Sequence, residues 1–349
     1  MSSKTKFPLY SPGQECETNK NITVLVADLR VKYAWLSLYD CKNGEMLQKQ
    51  EKQYVTTDYA SFSELVKQYL ADEKILGVTR ISIAVPGPVH KGKCITPNLP
   101  WVLEADVVKK ELGFERVYLI NDLEATAYSL ADIEDSCFNA IHVSPNKVRG
   151  NVAILAPGNG LGEAGLYYDG TYLRPFATEG GHTEFSPRND FEIEFYQFLT
   201  KIYGIVTWEN VLSKEGFYNI YRFLRDVGRH TEDPWLSEKV QSGEFVDVVV
   251  EAIAEKKTRL LKTTIDMYLE FLAREANNLT LKLKATGGLI ITGEIPDKIF
   301  DLINKDKFYK NFKISDRMEH LLKDISIYIV RNPKGIANGA AHYGAFIEE

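Results

Sequence analysis

Ile22-Thr23-Val24-Leu25-Val26-Ala27-Asp28 is the stretch that decides the fold. It is a short, β-branched apolar run that ends at an acidic residue, which predicts a buried first strand. The alternating residues 34–39 follow after a short gap and predict the second strand of a hairpin. Residues 116–120 predict a further strand, which delivers Asn121-Asp122 at its carboxyl end. Open α/β sheets bind their ligands beyond the carboxyl ends of the strands, so this pair lies where a site is expected.

The bulk composition is that of an ordinary globular protein. Its 349 residues are 44% hydrophobic and 26% charged, and the net charge is −6. An acidic chain without a long Lys/Arg run does not fit a nucleic-acid surface. No apolar stretch is long enough to span a membrane, and residues 1–21 lack the apolar core of a secretory signal. The four cysteines are scattered without metal-ligand spacing, which argues against zinc and fits a reducing cytoplasm.

The length suits two lobes better than one core. We predict a loosely ordered leader over residues 1–21, a small α/β lobe from 22–132 plus 332–349, and a large α/β lobe over 133–331. Helical patterns dominate the large lobe. Two of them cover residues 206–212 and residues 246–283, and the second is expected to break near Lys256-Lys257.

The pair Asn121-Asp122 precedes a predicted helix over residues 124–130. An Asp at this place can accept the proton of an attacking hydroxyl, as phosphoryl transfer to an alcohol requires. The alternative is a helix N-cap, a role that Asp commonly fills.

Two glycine-rich stretches adjoin predicted strands. Gly158-Asn159-Gly160-Leu161-Gly162 follows a strand over 151–155, and its glycines let backbone N–H groups approach phosphate oxygens. A tight hairpin is the alternative. Gly287-Gly288 precedes a strand over 289–292 and Gly293 follows it, which would let a flat ring lie on the backbone. Such brackets also occur at ordinary bends.

Two further features carry polar groups suited to a polyol. Glu179-Gly180-Gly181-His182 combines a carboxylate with an imidazole, and both can hydrogen-bond to hydroxyls. A zinc fragment is the alternative, but no second His or Cys stands at ligand spacing. Glu209 lies in the predicted helix over 206–212 among apolar residues, where a buried carboxylate would need a partner. On a solvent-facing side of that helix it would have no special role.

Taken in order, these motifs resemble the bacterial glucokinase family, within the actin-like superfamily. The likeness runs from about Val24 to Tyr343 and includes connecting stretches such as Thr96-Pro97-Asn98-Leu99-Pro100-Trp101. The sister ROK sugar kinases carry a Cys-rich zinc motif after the corresponding Glu-Gly-Gly-His stretch. This chain has Thr183-Glu184-Phe185-Ser186-Pro187 there, which sets it apart from that branch.

The resemblance implies an α/β, two-lobed actin-like ATPase (ribonuclease-H-like) fold with an interlobe cleft that closes over hexose and ATP. It implies that Asp122 is the catalytic base for the 6-hydroxyl proton and that Asp28 helps to place Mg²⁺ through water. The implied sugar ligands are Asn98, Asn121, Asp122, Glu179, His182 and Glu209. The implied nucleotide contacts are Asp28, Gly158, Asn159, Gly160, Gly162, Gly287, Gly288 and Gly293. We expect a cytoplasmic homodimer that binds glucose or a related hexose, and neither nucleic acid nor a membrane.

The chain departs from the family in its nucleotide-binding half. The family's first phosphate loop reads Asp-x-Gly-Gly-Thr-Asn, whereas this chain has Asp28-Leu29-Arg30-Val31-Lys32-Tyr33, with Trp35 in place of the usual Arg. Val31 is β-branched and resists the positive φ that glycine permits. Arg30 and Lys32 could instead meet phosphate as point charges. Asn159 also replaces a Thr, and Glu294 replaces a Gly where adenine would pack.

The sugar-binding motifs are thus intact, whereas the nucleotide-binding motifs are altered. Two functions of different classes follow from this difference. The first hypothesis is ATP-dependent phosphorylation of glucose to glucose 6-phosphate, with either slow turnover or an altered nucleotide preference because of the altered loop. The second is a glucokinase-like sugar-binding sensor without useful catalysis. The altered loop favours the sensor, whereas the retained Asp122 favours the enzyme, because a sugar binder needs no base. A chaperone-type ATPase of the same superfamily would leave the sugar-contacting residues unexplained.

Overall fold

A computed structural model of the chain describes residues 4–5, 7–16, 19, 21–42, 45–97, 99–146, 148–227, 229–255 and 258–347. The chain divides into two compact units. The first comprises Met1–Asp135, Asp169–Ala177 and Asn332–Glu349, and the second comprises Ser136–Tyr168 and Thr178–Arg331. Both units combine strands with helices, so the predicted α/β class is confirmed.

The first unit is built on a five-stranded sheet. Its strands are β1 (Asn21–Leu29), β2 (Tyr33–Lys42), β3 (Glu45–Val55), β4 (Arg80–Val85) and β5 (Arg116–Asn121), in the order β3-β2-β1-β4-β5. β2 is antiparallel to both of its neighbours, and β4 and β5 continue the sheet in parallel. The predicted buried strand and hairpin are confirmed. β3 was not predicted, because its mostly polar residues lie exposed at the sheet edge.

Helices cover the first sheet. They are α1 (Phe62–Asp72), α2 (Ala105–Leu112), α3 (Asp122–Tyr128) and a C-terminal helix, Gly335–Phe346. The C-terminal helix packs so closely that a Cβ on Gly339 would lie 1.6 Å from the carbonyl oxygen of Ala125. Its small residues are therefore required by this contact. Two-residue strands occur at Lys4–Thr5, Val89–His90, Lys93–Cys94, Leu103–Glu104 and Ile133–Glu134.

The second unit has its own sheet, in which five strands lie in the order β6-β10-β9-β7-β8. They are β6 (Phe138–His142), β7 (Val152–Pro157), β8 (Leu161–Tyr168), β9 (Gly288–Ile291) and β10 (Ile327–Val330). β7 and β8 form an antiparallel hairpin, whereas β7, β9 and β10 are parallel. The segments after β7 and after β9 consequently leave the sheet at the same edge. A further strand, Leu173–Thr178, begins in the segment assigned to the first unit.

The helices of the second unit surround a large apolar core. They are α4 (Asp190–Tyr203), α5 (Glu209–Leu212), α6 (Lys214–Asp226), α7 (Pro234–Ser242), α8 (Phe245–Glu255), α9 (Arg259–Leu283), α10 (Glu294–Lys298), α11 (Lys305–Phe312) and α12 (Glu319–Leu322). The long helical pattern is divided: α8 ends at Glu255, and Thr258 caps α9 by accepting the Leu261 N–H. The predicted break at Lys256-Lys257 lies outside the described residues. No helix within the described ranges combines the length and apolar character that a membrane span requires.

One predicted helix begins later in the chain than expected. Residues 206–212 were expected to be helical, but α5 covers only Glu209–Leu212. Val206 and Thr207 lie outside the helix because this segment pairs with a distant one: Phe185 N–H donates to the Val206 carbonyl at 2.9 Å, and Trp208 N–H donates to the Thr183 carbonyl at 3.0 Å. Tertiary pairing overrides the helical pattern here.

A buried ion pair joins α4 to α9. The Arg274 guanidinium donates to both Glu192 carboxylate oxygens, at 2.7 and 2.6 Å, and the two side chains are 4% and 5% exposed. Burial opposes ionisation of Glu192, but the hydrogen bonds and charges of Arg274 and Arg188 together lower the pKa of Glu192. The Arg188 N–H and Asn189 Nδ2 also donate to Glu192, at 2.7 and 3.0 Å, but the directly bonded opposite charge is Arg274.

We expect Arg274→Ala to lower the free energy of unfolding by about 3–5 kcal/mol, because it leaves the buried Glu192 carboxylate without its ion-pair partner. Equilibrium urea unfolding followed by circular dichroism measures this. The control is Lys307→Ala, which removes an exposed pair with Asp266 (3.1 Å) and should cost no more than about 1 kcal/mol. Equal costs for the two variants would contradict the argument.

Candidate active site

The carboxyl edge of the first sheet carries the predicted acidic residues. Asp28 lies beside Ala84 across β1 and β4, and Asn121 lies beside Val85 across β5 and β4. Asp28 and Asn121 are therefore two strands apart, or about 10 Å along the hydrogen-bonding direction. The parallel strands β1, β4 and β5 thus bring Asp28 and the Asn121-Asp122 pair to one edge.

The helix cap at this edge is Asn121, not Asp122. The Asn121 Oδ1 accepts the N–H groups of Leu123 (2.9 Å) and Glu124 (3.1 Å), and its Nδ2 donates to the Gly87 carbonyl at 3.2 Å. Asp122 is the first residue of α3, and its Oδ1 accepts the Leu123 N–H at 2.8 Å. The capping role is thereby assigned to Asn121, and the Asp122 carboxylate is oriented by the helix start.

The loop after β4 packs against the stretch that contains Asn98. A Cβ on Gly87 would lie 3.0 Å from Thr96 Cβ, and Thr96 Oγ1 donates to the Pro86 carbonyl at 3.3 Å. Asn98 itself lies outside the described residues. Its neighbour Leu99 donates its N–H to the Thr96 carbonyl at 3.4 Å.

The altered first loop is closed by its own side chains. The Arg30 guanidinium donates from Nε to Asp28 Oδ1 (3.2 Å) and from Nη2 to Asp28 Oδ2 (2.8 Å), and its Cζ lies 4.8 Å from the Trp35 ring centroid. A bidentate guanidinium–carboxylate pair fixes both partners, and stacking on Trp35 adds to this. Arg30 thus binds Asp28 within its own loop.

The backbone of this loop is a tight hairpin between β1 and β2. Arg30 N–H donates to the Tyr33 carbonyl at 2.8 Å, and Thr56 N–H donates to the Lys32 carbonyl at 3.1 Å. Among the described residues, positive φ at a non-glycine occurs only at Lys74, Lys91 and Lys284. Val31 therefore adopts no strained conformation. The hairpin is closed by the hydrogen bond from the Arg30 N–H to the Tyr33 carbonyl. This N–H is therefore not available to a phosphate.

Asp28 does not fit the role of a cation ligand in this arrangement. Both of its carboxylate oxygens accept hydrogen bonds from Arg30, whose charge already compensates the carboxylate. Within the described residues, no group of three or more His, Cys, Asp or Glu side chains could hold a metal ion. We therefore derive no chemical step through Mg²⁺ at this position.

In the second unit, the β7–β8 hairpin joins the glycine-rich loop to Glu209. Gly158 N–H donates to the Gly160 carbonyl at 2.9 Å, which closes the loop. Leu161 N–H donates to Glu209 Oε2 at 2.9 Å, and a Cβ on Gly160 would lie 2.6 Å from the same oxygen. Glu209 Oε1 makes no hydrogen bond to any residue that the structure describes. Glu209 is therefore a half-buried carboxylate with one oxygen fixed and one oriented for a ligand.

The Glu179-Gly180-Gly181-His182 stretch is a single 3₁₀ turn pressed onto β8. His182 N–H donates to the Glu179 carbonyl at 3.1 Å, and a Cβ on Gly181 would lie 2.1 Å from the Leu161 carbonyl oxygen. Only glycine permits this approach. The Glu179 and His182 side chains remain exposed. The Thr183 carbonyl then accepts the Trp208 N–H, which brings the turn close to the start of α5 and Glu209.

Gly293 and Glu294 lie beside the glycine-rich loop. Gly293 has φ 103°, and a Cβ there would lie 2.6 Å from the Pro157 carbonyl oxygen. Glu294 bonds to Lys214 Nζ at 2.9 Å, and the Lys214 backbone N–H donates to the Gly158 carbonyl at 2.8 Å. Burial opposes the ionisation of Glu294, but the hydrogen bonds from Lys214 and Lys298 lower its pKa. Lys214 is a part of this site that the sequence analysis missed.

Gly287 and Gly288 lie at the opposite end of β9. Gly288 pairs with Val152 at the start of β7, and a Cβ on Gly287 would lie 2.3 Å from the Gly150 carbonyl oxygen. β9 spans four residues, so these glycines are about 13 Å from the edge where Gly293 leaves the strand. The close backbone contact with Gly150 accounts for glycine at position 287. The structure thus brings Gly293 to the glycine-rich loop, but not Gly287 or Gly288.

Comparison with known proteins agrees with this geometry. The sequence model of the glucokinase family matches residues 25–346. The glucokinase of Nostoc punctiforme is 33% identical over 304 residues, which are 83% of this chain and 89% of that protein. The chain therefore belongs to the glucokinase family.

Solved structures agree on the fold. The glucokinase of Balamuthia mandrillaris in complex with glucose superposes with a TM-score of 0.77 at 20% identity, and covers 96% of each chain. The ROK family glucokinase of Streptomyces griseus in complex with glucose and AMPPNP gives a TM-score of 0.63 at 16% identity, over 92% of this chain and 99% of that one. The predicted fold is confirmed by this likeness to sugar kinases.

Proposed function

We propose that the protein transfers the γ-phosphoryl group of ATP to the 6-hydroxyl of glucose. The observation that carries the proposal is the Asp122 carboxylate, which directly follows a parallel strand and is oriented by the Leu123 N–H at 2.8 Å. Family membership over residues 25–346 supports the choice of reaction. Glucose in the Balamuthia structure and AMPPNP in the Streptomyces structure support the choice of substrates.

In this proposal the sugar hydroxyls are held by side chains of known hydrogen-bonding capacity. Glu179, His182 and the Oε1 atom of Glu209 accept from or donate to hydroxyls, and Asn98 completes the set. Asn121 Nδ2 uses one of its two N–H groups on Gly87, which leaves the other for a sugar oxygen. Because epimers differ by one hydroxyl direction, such a set discriminates among hexoses through groups that a wrong sugar leaves unpaired.

The chemistry needs one proton acceptor and one phosphoryl donor. Asp122 takes the proton of the 6-hydroxyl as the hydroxyl oxygen forms a bond to the γ-phosphorus. The bond between that phosphorus and the oxygen bridging to the β-phosphate breaks, and ADP leaves. We propose that the Gly158–Gly162 loop and Gly293 receive the nucleotide, with Lys214 supporting the loop through its contacts with Gly158 and Glu294.

We further propose that turnover is slow. Arg30 N–H is used by Tyr33, and the Arg30 side chain is used by Asp28. The first loop therefore offers fewer donors to phosphate than a glycine-rich loop would. The homodimer and the cytoplasmic location stay predictions from the family resemblance.

The first prediction concerns Asp122. Asp122→Asn keeps the side-chain shape and removes the base, so kcat should fall by roughly 10²–10⁴-fold. A coupled assay for glucose 6-phosphate measures kcat, and calorimetry should show glucose affinity within a few-fold of the wild type. The control is Asp106→Asn, at an exposed position of α2. Near-normal turnover in Asp122→Asn would reduce Asp122 to a structural residue.

A second prediction concerns the sugar ligands. Unpaired buried hydrogen-bonding groups cost on the order of 1–3 kcal/mol each, so Glu179→Ala should weaken glucose binding at least about tenfold. Glu184→Ala, at an exposed position five residues along, should leave the affinity unchanged. Isothermal titration calorimetry measures the glucose affinity of both variants and of the wild type. Equal affinities would remove Glu179 from the site.

The third prediction separates the enzyme from the sensor. Replacing the loop by the family's residues (Arg30→Gly, Val31→Gly, Lys32→Thr, Tyr33→Asn) should raise ATP turnover at least about tenfold, since a preorganised donor is worth about 2.7–4 kcal/mol. Glucose affinity should change little. If the wild type instead turns over ATP rapidly and Arg30→Ala abolishes this turnover, basic side chains have replaced the lost backbone donors. Glucose binding with no turnover on any nucleotide would favour the sensor.

A further inference from the structure

Two carboxyl groups are buried against each other behind the Glu179–His182 turn. Glu163 belongs to β8 and is 1% exposed, and Glu275 belongs to α9 and is 0% exposed. The two carboxyl groups lie close enough for each to act on the ionisation of the other and for a hydrogen bond to form between them. Two ionised carboxylates offer only acceptors, so this contact requires one of them to carry a proton.

The surrounding groups place that proton on Glu163. Glu275 accepts from Asn278 Nδ2 at 2.8 Å and lies 3.5 Å from Lys282 Nζ, so its negative charge is compensated. The buried Oε1 atom of Glu163 receives no hydrogen bond from any donor among the described residues, so nothing there would compensate a negative charge. Burial, followed by the neighbouring Glu275 carboxyl, raises the pKa of Glu163 to about 8. The charged groups that act on Glu163 are therefore Glu275 and Lys282, both on α9.

Glu163 also contacts the turn. A Cβ on Gly180 would lie 1.9 Å from Glu163 Oε2, so this carboxyl packs directly on the Gly180 backbone. Thr178 adds a second link, because its Oγ1 donates to the Glu163 carbonyl at 3.0 Å and accepts the Gly180 N–H at 3.2 Å. A shift of the Glu163 side chain toward the turn would therefore press on the Gly180 backbone.

We propose that Glu163 is a positioning residue, whose proton shared with Glu275 holds the Glu179-Gly180-Gly181-His182 turn in its sugar-binding conformation. The inference rests on the proposed function, because it treats that turn as part of a sugar site. It adds a residue that touches neither sugar nor nucleotide. It also gives sugar binding a dependence on pH in the alkaline range.

The sign of that dependence follows from the direction of the pKa shift. Below about pH 8, Glu163 is neutral and donates to Glu275. Above it, the proton leaves to solvent and two like charges remain in a buried site, where Lys282 compensates only one. Repulsion then drives Glu163 against Gly180 and displaces the turn. Sugar affinity is therefore full below the pKa of Glu163 and falls as the pH rises through it.

The experiment compares the full-length wild type with Glu163→Gln, because Gln keeps the shape and a donor to Glu275 without titrating. Infrared difference spectroscopy detects the protonated carboxylic acid without any sugar. Calorimetry measures glucose affinity from pH 7 to 9.5. We expect a carboxylic-acid component that titrates near pH 8 in the wild type and is absent in Glu163→Gln. Burial also raises the pKa of Glu124 to about 7, so its component is present in both proteins and cancels in the comparison. Wild-type affinity should fall roughly fivefold or more across this range, and Glu163→Gln affinity should stay flat.

Other outcomes separate the claim that Glu163 shares a proton with Glu275 from the claim that this proton controls sugar binding. Glu275→Gln is the second variant: it removes the like charge, so the pH at which the Glu163 band disappears should move down. A wild type without a carboxylic-acid band at pH 7 would overturn the inference, as would an equal loss of affinity in the wild type and Glu163→Gln. A band that titrates as expected in a protein that binds no glucose at any pH would overturn both the proposed function and the coupling to sugar.

Discussion

The candidate site of the second unit depends on the backbone of one residue, Leu161. Its N–H fixes one oxygen of Glu209, and its carbonyl oxygen meets the turn so closely that only glycine fits at position 181. Leu161 also ends the hairpin that carries the glycine-rich loop. A single rigid strand, β8, thereby sets the relative positions of three loop-borne groups, which is how precise sites are usually supported.

In the first unit, the acidic residue Asp28 is retained, but the loop that follows it is not the open glycine-rich loop of the family. Asp28 keeps its place beside Ala84 on the central strand, but its carboxylate is paired with Arg30, which also stacks on Trp35. The altered loop is locally consistent, because Arg30 pairs with Asp28 and Lys32 lies over the Tyr33 ring. A hairpin that satisfies itself in this way is stable, and it offers little to a ligand. This is the physical basis for expecting intact sugar binding beside weak phosphoryl transfer.

Helix α9 buries carboxylates in two different ways. Near its middle, Arg274 forms a bidentate ion pair with Glu192, in which both members are charged. One residue further along, Glu275 faces Glu163, and the contact is satisfied by a shared proton. The first arrangement resists pH over a wide range, whereas the second titrates near pH 8. The same helix thus contributes an ion pair that stabilises the core at all ordinary pH values and a titratable carboxyl contact that supports the turn.

The sequence by itself determined the elements whose pattern is local. The apolar run that ends at Asp28, the hairpin after it and the Asn121-Asp122 junction follow from a period of two and from turn residues. Family motifs then supplied the site hypotheses. The sequence could not show that Val206 and Thr207 lie outside the helix, because that depends on backbone pairing with residues 183–185.

Tertiary structure alone decided the remaining features. It assigned the helix cap to Asn121, placed Arg30 on Asp28, separated Gly287 from Gly293, and brought Glu163 against Glu275. Each of these depends on which atoms of distant segments meet. Periodicity reports only which side of an element is apolar. The partner of a polar group is fixed by packing, so it becomes visible only when the chain is folded.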